Sequence, residues 1–178
     1  MVASTTEPAV GAIRLAWWRE ALKKLDHSDP PAEPRLSAIA AECLPRGVSG
    51  AMLSEIEDGY ATLLDPEPDL DRISRSGAAL FGAIALLLDA EDPKLADAGA
   101  LAMLARVRGL SSEDVKPAAL EKMRALRGHR FAAPLRPLTI LARLAARDFL
   151  RRVVEAEATP GRAFAMLSHR LSGVVTAR

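Results

Sequence analysis

Catalysis and metal binding need paired functional groups, and this chain offers few at usable spacing. His27, His129 and His169 lie far apart, and none has a second ligand type three or four residues away, so spacing sets up no imidazole metal site. Cys43 is the sole thiol, which excludes an internal disulfide and a Cys-based zinc site; within an apolar helical run it reads as a small core residue. No phosphate-cradling glycine loop follows a strand, which removes P-loop and Rossmann readings. Two acidic pairs stand four apart, Asp65 with Asp69 and Glu67 with Asp71. Carboxylates at that spacing on a helix share a face and could hold Mg²⁺. Here they fall in the Pro-broken run Asp65-Pro-Glu-Pro-Asp69, where helical geometry is not available before about residue 69. Solvated loop charges and a helix N-terminus account for them better.

Arginines are better placed. Arg136, Arg143, Arg147 and Arg151 recur at seven and four residues, which puts a basic stripe on one helical face. Such a stripe suits a diphosphate, an anionic lipid or an acidic partner; alternatively it is a solvated face paired with Asp148 and Glu155. A second cluster is Arg14-Leu-Ala-Trp-Trp-Arg-Glu-Ala-Leu22, which holds both tryptophans. Ile13, Trp17 and Ala21, then Trp18, Leu22 and Leu25, step by three and four and predict a broad apolar stripe edged by arginines. One indole of the pair is expected in the core, and a ligand-lining or partner-binding role is the competing use. Gly77, Ala78, Ala79, Gly82 and Ala83 either let a neighbouring helix approach closely or leave room for an apolar ligand.

These groups must be carried by helices. Pro and Gly punctuate a series of 3.6-period segments, and no alternating stretch reads as a strand. Helices are predicted from about Pro8 to Leu25 with Thr6 as N-cap, Pro34 to Leu44, and Gly50 to Leu64 with Ser49 as cap. A fourth runs from about Asp69 to Leu88. Its Leu70, Ile73, Gly77, Leu80, Phe81, Ile84 and Leu88 fit the helical period, and it becomes apolar all round, as the most buried element does. Further helices follow from Pro93 to about Arg108, and from Val115 to Arg127 behind a start signal at Ser111 to Asp114. A long one then spans Arg136 to Ala156, with Leu138, Leu141, Leu144, Ala145, Phe149 and Val153 inward. A last one, about Arg162 to Val175, carries Phe164, Leu167, Leu171 and Val174.

Composition agrees. Apolar residues make up 49% of the 178 but aromatics only 4%, so a core of Ala, Leu, Ile and Val favours closely packed helices in one domain over residues 1–178. A net charge of +1 offers no global field for nucleic acid. The longest uncharged apolar run, Gly77 to Leu88, is too short for a transmembrane segment, which needs about twenty residues. With one cysteine and no apolar leader, a cytoplasmic, membrane-peripheral location is expected.

Taken together, the Arg14 to Leu22 segment, Pro34-Arg-Leu36, Glu57-Asp-Gly-Tyr-Ala-Thr-Leu-Leu64 and Ser76-Gly-Ala-Ala-Leu-Phe-Gly82 resemble the squalene/phytoene synthase family, to about Val154. The similarity is to its small bacterial members and to its branch of mitochondrial complex I assembly factors. The resemblance implies an all-α, isoprenoid-synthase-like helical bundle around an apolar cavity, here lacking its N-terminal helices. Arg14, Trp17, Trp18, Gly77, Phe81, Arg106 and Arg108 are the candidate cavity residues. Catalytic members condense two prenyl diphosphates, using aspartates at i and i+4 on two facing helices to hold Mg²⁺.

This chain departs from that pattern. No Asp precedes Arg14, and in the second motif region, Leu104 to Asp114, Arg108 matches the usual arginine but Gly109 replaces the first aspartate. A tyrosine common one turn before the small-residue motif is Ile73 here. The expected function is therefore non-catalytic: binding an apolar isoprenoid or lipid, a prenyl diphosphate included, or acting as an assembly factor on a protein partner, without cofactor and without nucleic acid. The alternatives are an N-terminally truncated head-to-head prenyltransferase using Mg²⁺, for which Asp65 and Asp69 are weak substitute ligands, and a peripheral membrane scaffold.

Overall fold

The computed structural model describes residues 8–108, 115–151 and 155–176. Among them the chain is all-α. Eight helices run in the order α1 (Pro8–Lys24), α2 (Pro34–Glu42), α3 (Gly50–Ala61), α4 (Leu70–Leu87), α5 (Leu95–Arg106), α6 (Lys116–Ala125), α7 (Arg136–Phe149) and α8 (Pro160–Ser172). Local chemistry sets the ends. Ser49 accepts the Met52 N–H at 3.0 Å and starts α3. Asp69 accepts the N–H groups of Asp71 and Arg72 at 2.9 and 3.0 Å and starts α4, and Thr159 accepts that of Arg162 and starts α8. Gly173, at φ 73°, takes the left-handed conformation that closes α8. The predicted Thr6 cap, the Ser111 to Asp114 start signal, Gly109 and Val153 lie outside the described residues.

The helices pack as a layered series in which α1 rests on α3, α3 on α4, α4 on α5, α5 on α7 and α7 on α8, with α6 against α5 and α7. The main core joins α4 to α7 through Phe81, Leu101, Leu104, Leu126, Phe131 and Leu135, and a smaller cluster of Ala21, Leu22, Leu25 and Leu36 sits under α1. The most buried element is α5 rather than α4: Leu95 and every residue from Ala98 to Leu104 are buried, whereas Leu80 and Ile84 of α4 are half-buried and Leu88 is exposed. α4 has neighbours on two sides, but α5 has them on three, and the Ala and Gly side chains of α5 permit that crowding.

Three faces differ from the periodicity reading. On α1 the buried stripe is Gly11, Leu15, Ala21 and Leu22, continued by Leu25 just past its end, with Trp18 half-buried, while Ile13 and Trp17 are exposed, the indole at 48%. Neither tryptophan is largely buried; their rings meet edge to face at 5.2 Å. Along α7 the buried residues are Thr139, Ala142, Ala145, Ala146, Asp148 and Phe149, and Leu141 points outward. That helix stops at Phe149, well before Ala156. On α8 the buried residues are Ala165 and His169, whereas Phe164 and Leu171 are each 72% exposed. In each case the helix has apolar residues on more than one side, and the shape and polarity of its neighbour choose among them.

Candidate functional site: the α7–α8 hairpin

Arginines that spacing marked as a basic stripe turn out to bind α8 and its tail to α7. Arg136 donates from Nη1 to the carbonyls of Arg170 and Leu171 at 3.2 and 3.0 Å, and from Nε to that of Phe131. Arg143 donates to the Val175 carbonyl at 2.7 Å; burial, helped by neighbouring Arg147, pushes its guanidinium down from the ordinary arginine range. At the other end Arg147 and Arg151 close on Glu155, with N–O distances of 2.8 and 3.2 Å, and Arg162 reaches Asp148 at 2.7 Å. Hydrogen bonds from Arg147 and the Thr159 hydroxyl hold the Glu155 carboxyl down at about 2. The hairpin is thus fastened by charge at both ends.

Between those fastenings the contact between the two helices is a buried polar one. His169 of α8 is fully buried, its Nε2 lies 2.9 Å from Thr139 Oγ1, and its Nδ1 lies 3.1 Å from the Val174 carbonyl. With Nδ1–H given to Val174, Nε2 accepts the single Thr139 hydroxyl proton, for which the Leu135 carbonyl at 3.0 Å is the competing acceptor. Burial, reinforced by the nearby cations Arg143 and Arg136, lowers the His169 pKa and keeps the ring neutral. Once His169 is the residue turned inward, helical geometry points Phe164, Leu167 and Leu171 to solvent.

Beside that ridge lies an open groove of about 650 Å³, lined by Ile140 of α7, by Ala158, Pro160, Ala163, Met166 and Leu167, and by Glu157 and Arg170. Its size falls in the range of small-molecule sites, and its walls are mainly apolar with one charge of each sign. The apolar period of the last helix marks Leu167 without marking a groove. The signal that could have found the site is the pairing of Thr139 with His169, two polar residues on facing helices.

The residues proposed for a central cavity are not brought together. Gly77 sits against Gly99 of α5, and Phe81 is buried in the core between α4 and α5, so the small-residue stripe serves close packing there. Gly82, with nothing within 4 Å of its Cβ position, is open. Arg14 and Arg106 are exposed on α1 and α5. Arg108 donates to the carbonyls of Asp148 and Arg151 at 2.6 and 3.3 Å and lies over the Phe149 ring at 5.5 Å, so it caps the C-terminal end of α7.

Mg²⁺ ligation does not fit the acidic residues on view. Asp69 is engaged as the α4 cap, and Asp65 lies 3.6 Å from Arg72, a cation where a metal would need a further carboxylate. Among the described residues no group of three or more His, Cys, Asp or Glu side chains is placed to hold a metal ion. The acidic residues of α3 are likewise occupied: Glu57 lies 2.6 Å from Arg19, and Asp58 bridges Arg19 at 2.9 Å and Arg72 at 2.8 Å. Glu57 is buried with Oε1 unpaired, and this desolvation raises its pKa despite Arg19, whereas the hydrogen bond from Arg72 lowers that of Asp58. Among the described residues no helix is long and apolar enough to cross a membrane. Searches for similarity to protein-family models, curated proteins and solved structures find no match.

Proposed function

We propose that the protein is a non-catalytic, squalene/phytoene synthase-like binding protein that takes an isoprenoid or lipid chain in the groove between α7 and α8. The observation that carries this reading is the groove itself, about 650 Å³ with Ile140, Ala163, Met166 and Leu167 on its walls. An apolar chain laid there removes its own surface and that of the walls from water, at about 25 cal/mol per Å². Arg170 and Glu157 at the same groove are the groups that would meet a polar end. The absence of turnover is supported by Arg108 being engaged on the end of α7 and by Asp65 and Asp69 being held by Arg72 and the α4 N-terminus. Without bridging metal, the negative charge developing on a departing diphosphate lacks the several kcal/mol that such ions supply.

Titration calorimetry of the full chain with farnesol and with farnesyl diphosphate tests this. Saturable binding is expected, weakened about tenfold or more by Ala163→Trp, which fills the groove from an exposed position and leaves helicity unchanged. No saturable binding of either compound would overturn the reading. Formation of presqualene or phytoene-type products with Mg²⁺ would replace it with the prenyltransferase alternative.

A further inference from the structure

The outer face of α8 carries an apolar ridge, of which Leu167 also borders the groove beside it. Phe164, Leu167 and Leu171 stand at i, i+3 and i+7 on one stripe, 72%, 57% and 72% exposed. The helix turns its buried histidine inward instead, so the exposure follows from how α8 is fixed rather than from loose packing. Thirteen residues give a rod about 20 Å long, with this ridge along its outer side. Large apolar side chains gathered in one row mark an interaction site.

Charge identifies what would cover the row. Arg127, Arg130, Arg136, Arg143 and Arg170 all border the segment 170–176: two by backbone bridges to Thr176 and Val174, two by bonds to its carbonyls, and one within it. Among the described residues none of the five has a carboxylate within ion-pair distance. Residues 136–172 contain seven arginines against Asp148, Glu155 and Glu157, whereas the whole chain is only +1. Anionic headgroups complement the arginines, and a fluid acyl boundary accepts a protruding ridge without needing a matching cavity.

We propose that α8 docks the protein on an anionic lipid bilayer, with Phe164, Leu167 and Leu171 at the headgroup–acyl boundary and the exposed Arg127, Arg130 and Arg170 on the headgroups. This goes beyond the groove reading: Leu167 and Arg170 belong to both, but Phe164 and Leu171 lie outside the groove, and the ridge meets a surface while the groove takes a single chain.

Co-sedimentation of the full chain with vesicles tests it. Binding to phosphatidylcholine vesicles containing phosphatidylglycerol is expected to exceed binding to phosphatidylcholine alone by about tenfold, and to fall with salt. Replacing Phe164, Leu167 and Leu171 together with Ser should abolish binding while the far-UV spectrum stays helical, since all three are exposed. Arg130→Gln with Arg170→Gln should remove the preference for the anionic lipid. Ala163→Trp should leave vesicle binding in place, which separates failure of the groove from failure of the ridge. Equal binding to both vesicle types, or none, overturns the proposal. Self-association without lipid that the ridge variant abolishes would assign the face to a second copy and overturn it equally.

Discussion

Gly77 of α4 and Gly99 of α5 meet backbone to backbone, so that a Cβ on either would strike the carbonyl of the other. This crossing brings the two most closely packed helices of the protein together and sets the position of the core around Phe81 and Leu101. Because the obstructing atoms are backbone, a neighbouring rotamer change cannot relieve the clash.

Gly99→Ala is accordingly expected to destabilise the fold by about 1–3 kcal/mol through overpacking. Gly82→Ala, on the same helix as Gly77 but with nothing within 4 Å, should be neutral or gain up to about 1 kcal/mol from helix propensity. Urea unfolding of the two variants checks the contrast, and equal effects would contradict the close crossing.

His169 makes stability depend on pH in a definite direction. Its folded pKa is below the ordinary value, so the unfolded chain binds more protons in the interval between the two. Its contribution is complete above about pH 6.5, the unfolded value, and is lost as pH falls through the folded pKa. Thr139→Val should destabilise by about 1–3 kcal/mol, leaving a buried ring nitrogen without its partner. Urea midpoints measured from pH 8 down to pH 5 should fall less for His169→Gln than for the unmodified chain.

Glu57 is buried and paired chiefly to Arg19. Arg19→Met would leave that carboxylate uncompensated. The expected loss is about 2 kcal/mol, under the 3–5 of a fully buried pair because Arg19 keeps part of its surface in water. Glu57 already has a raised pKa from desolvation, so lowering the pH protonates it and should shrink the loss; the same Arg19→Met penalty at pH 5 and pH 8 would contradict the burial.

The tryptophan pair should divide unequally. Trp18 packs against Leu22, Leu36 and their neighbours, so Trp18→Ala is expected to cost about 2–3 kcal/mol, short of the 3–5 of a fully buried aromatic. Trp17→Ala should cost under about 1 kcal/mol, since nearly half its surface is in water. Thermal unfolding of the two variants measures the difference.

What the sequence determined by itself was local. Ser49 and Asp69 sit beside the backbone groups they satisfy, so the starts of α3 and α4, and with the Pro and Gly breaks the run of eight helices, follow from neighbours within a few residues, whereas the last helix, expected to reach Val175, stops at Ser172 before Gly173. The apolar fraction and scarce aromatics likewise pointed to helix packing rather than a sheet. Tertiary structure decided which face each helix buries. On α8, leucines and a phenylalanine compete with a histidine for the inside, and the histidine is inward because Thr139, thirty residues away, offers its hydroxyl. On α7, arginine spacing was visible, but the atoms those arginines hold are carbonyls of residues 170 to 175 and carboxylates beyond the helix end. Arg108 was legible as a cation and not as a helix cap, since the carbonyls it meets lie forty residues on. Periodicity records that a helix has an apolar side; only the partner's shape and hydrogen-bonding groups determine whether that side is the one removed from water.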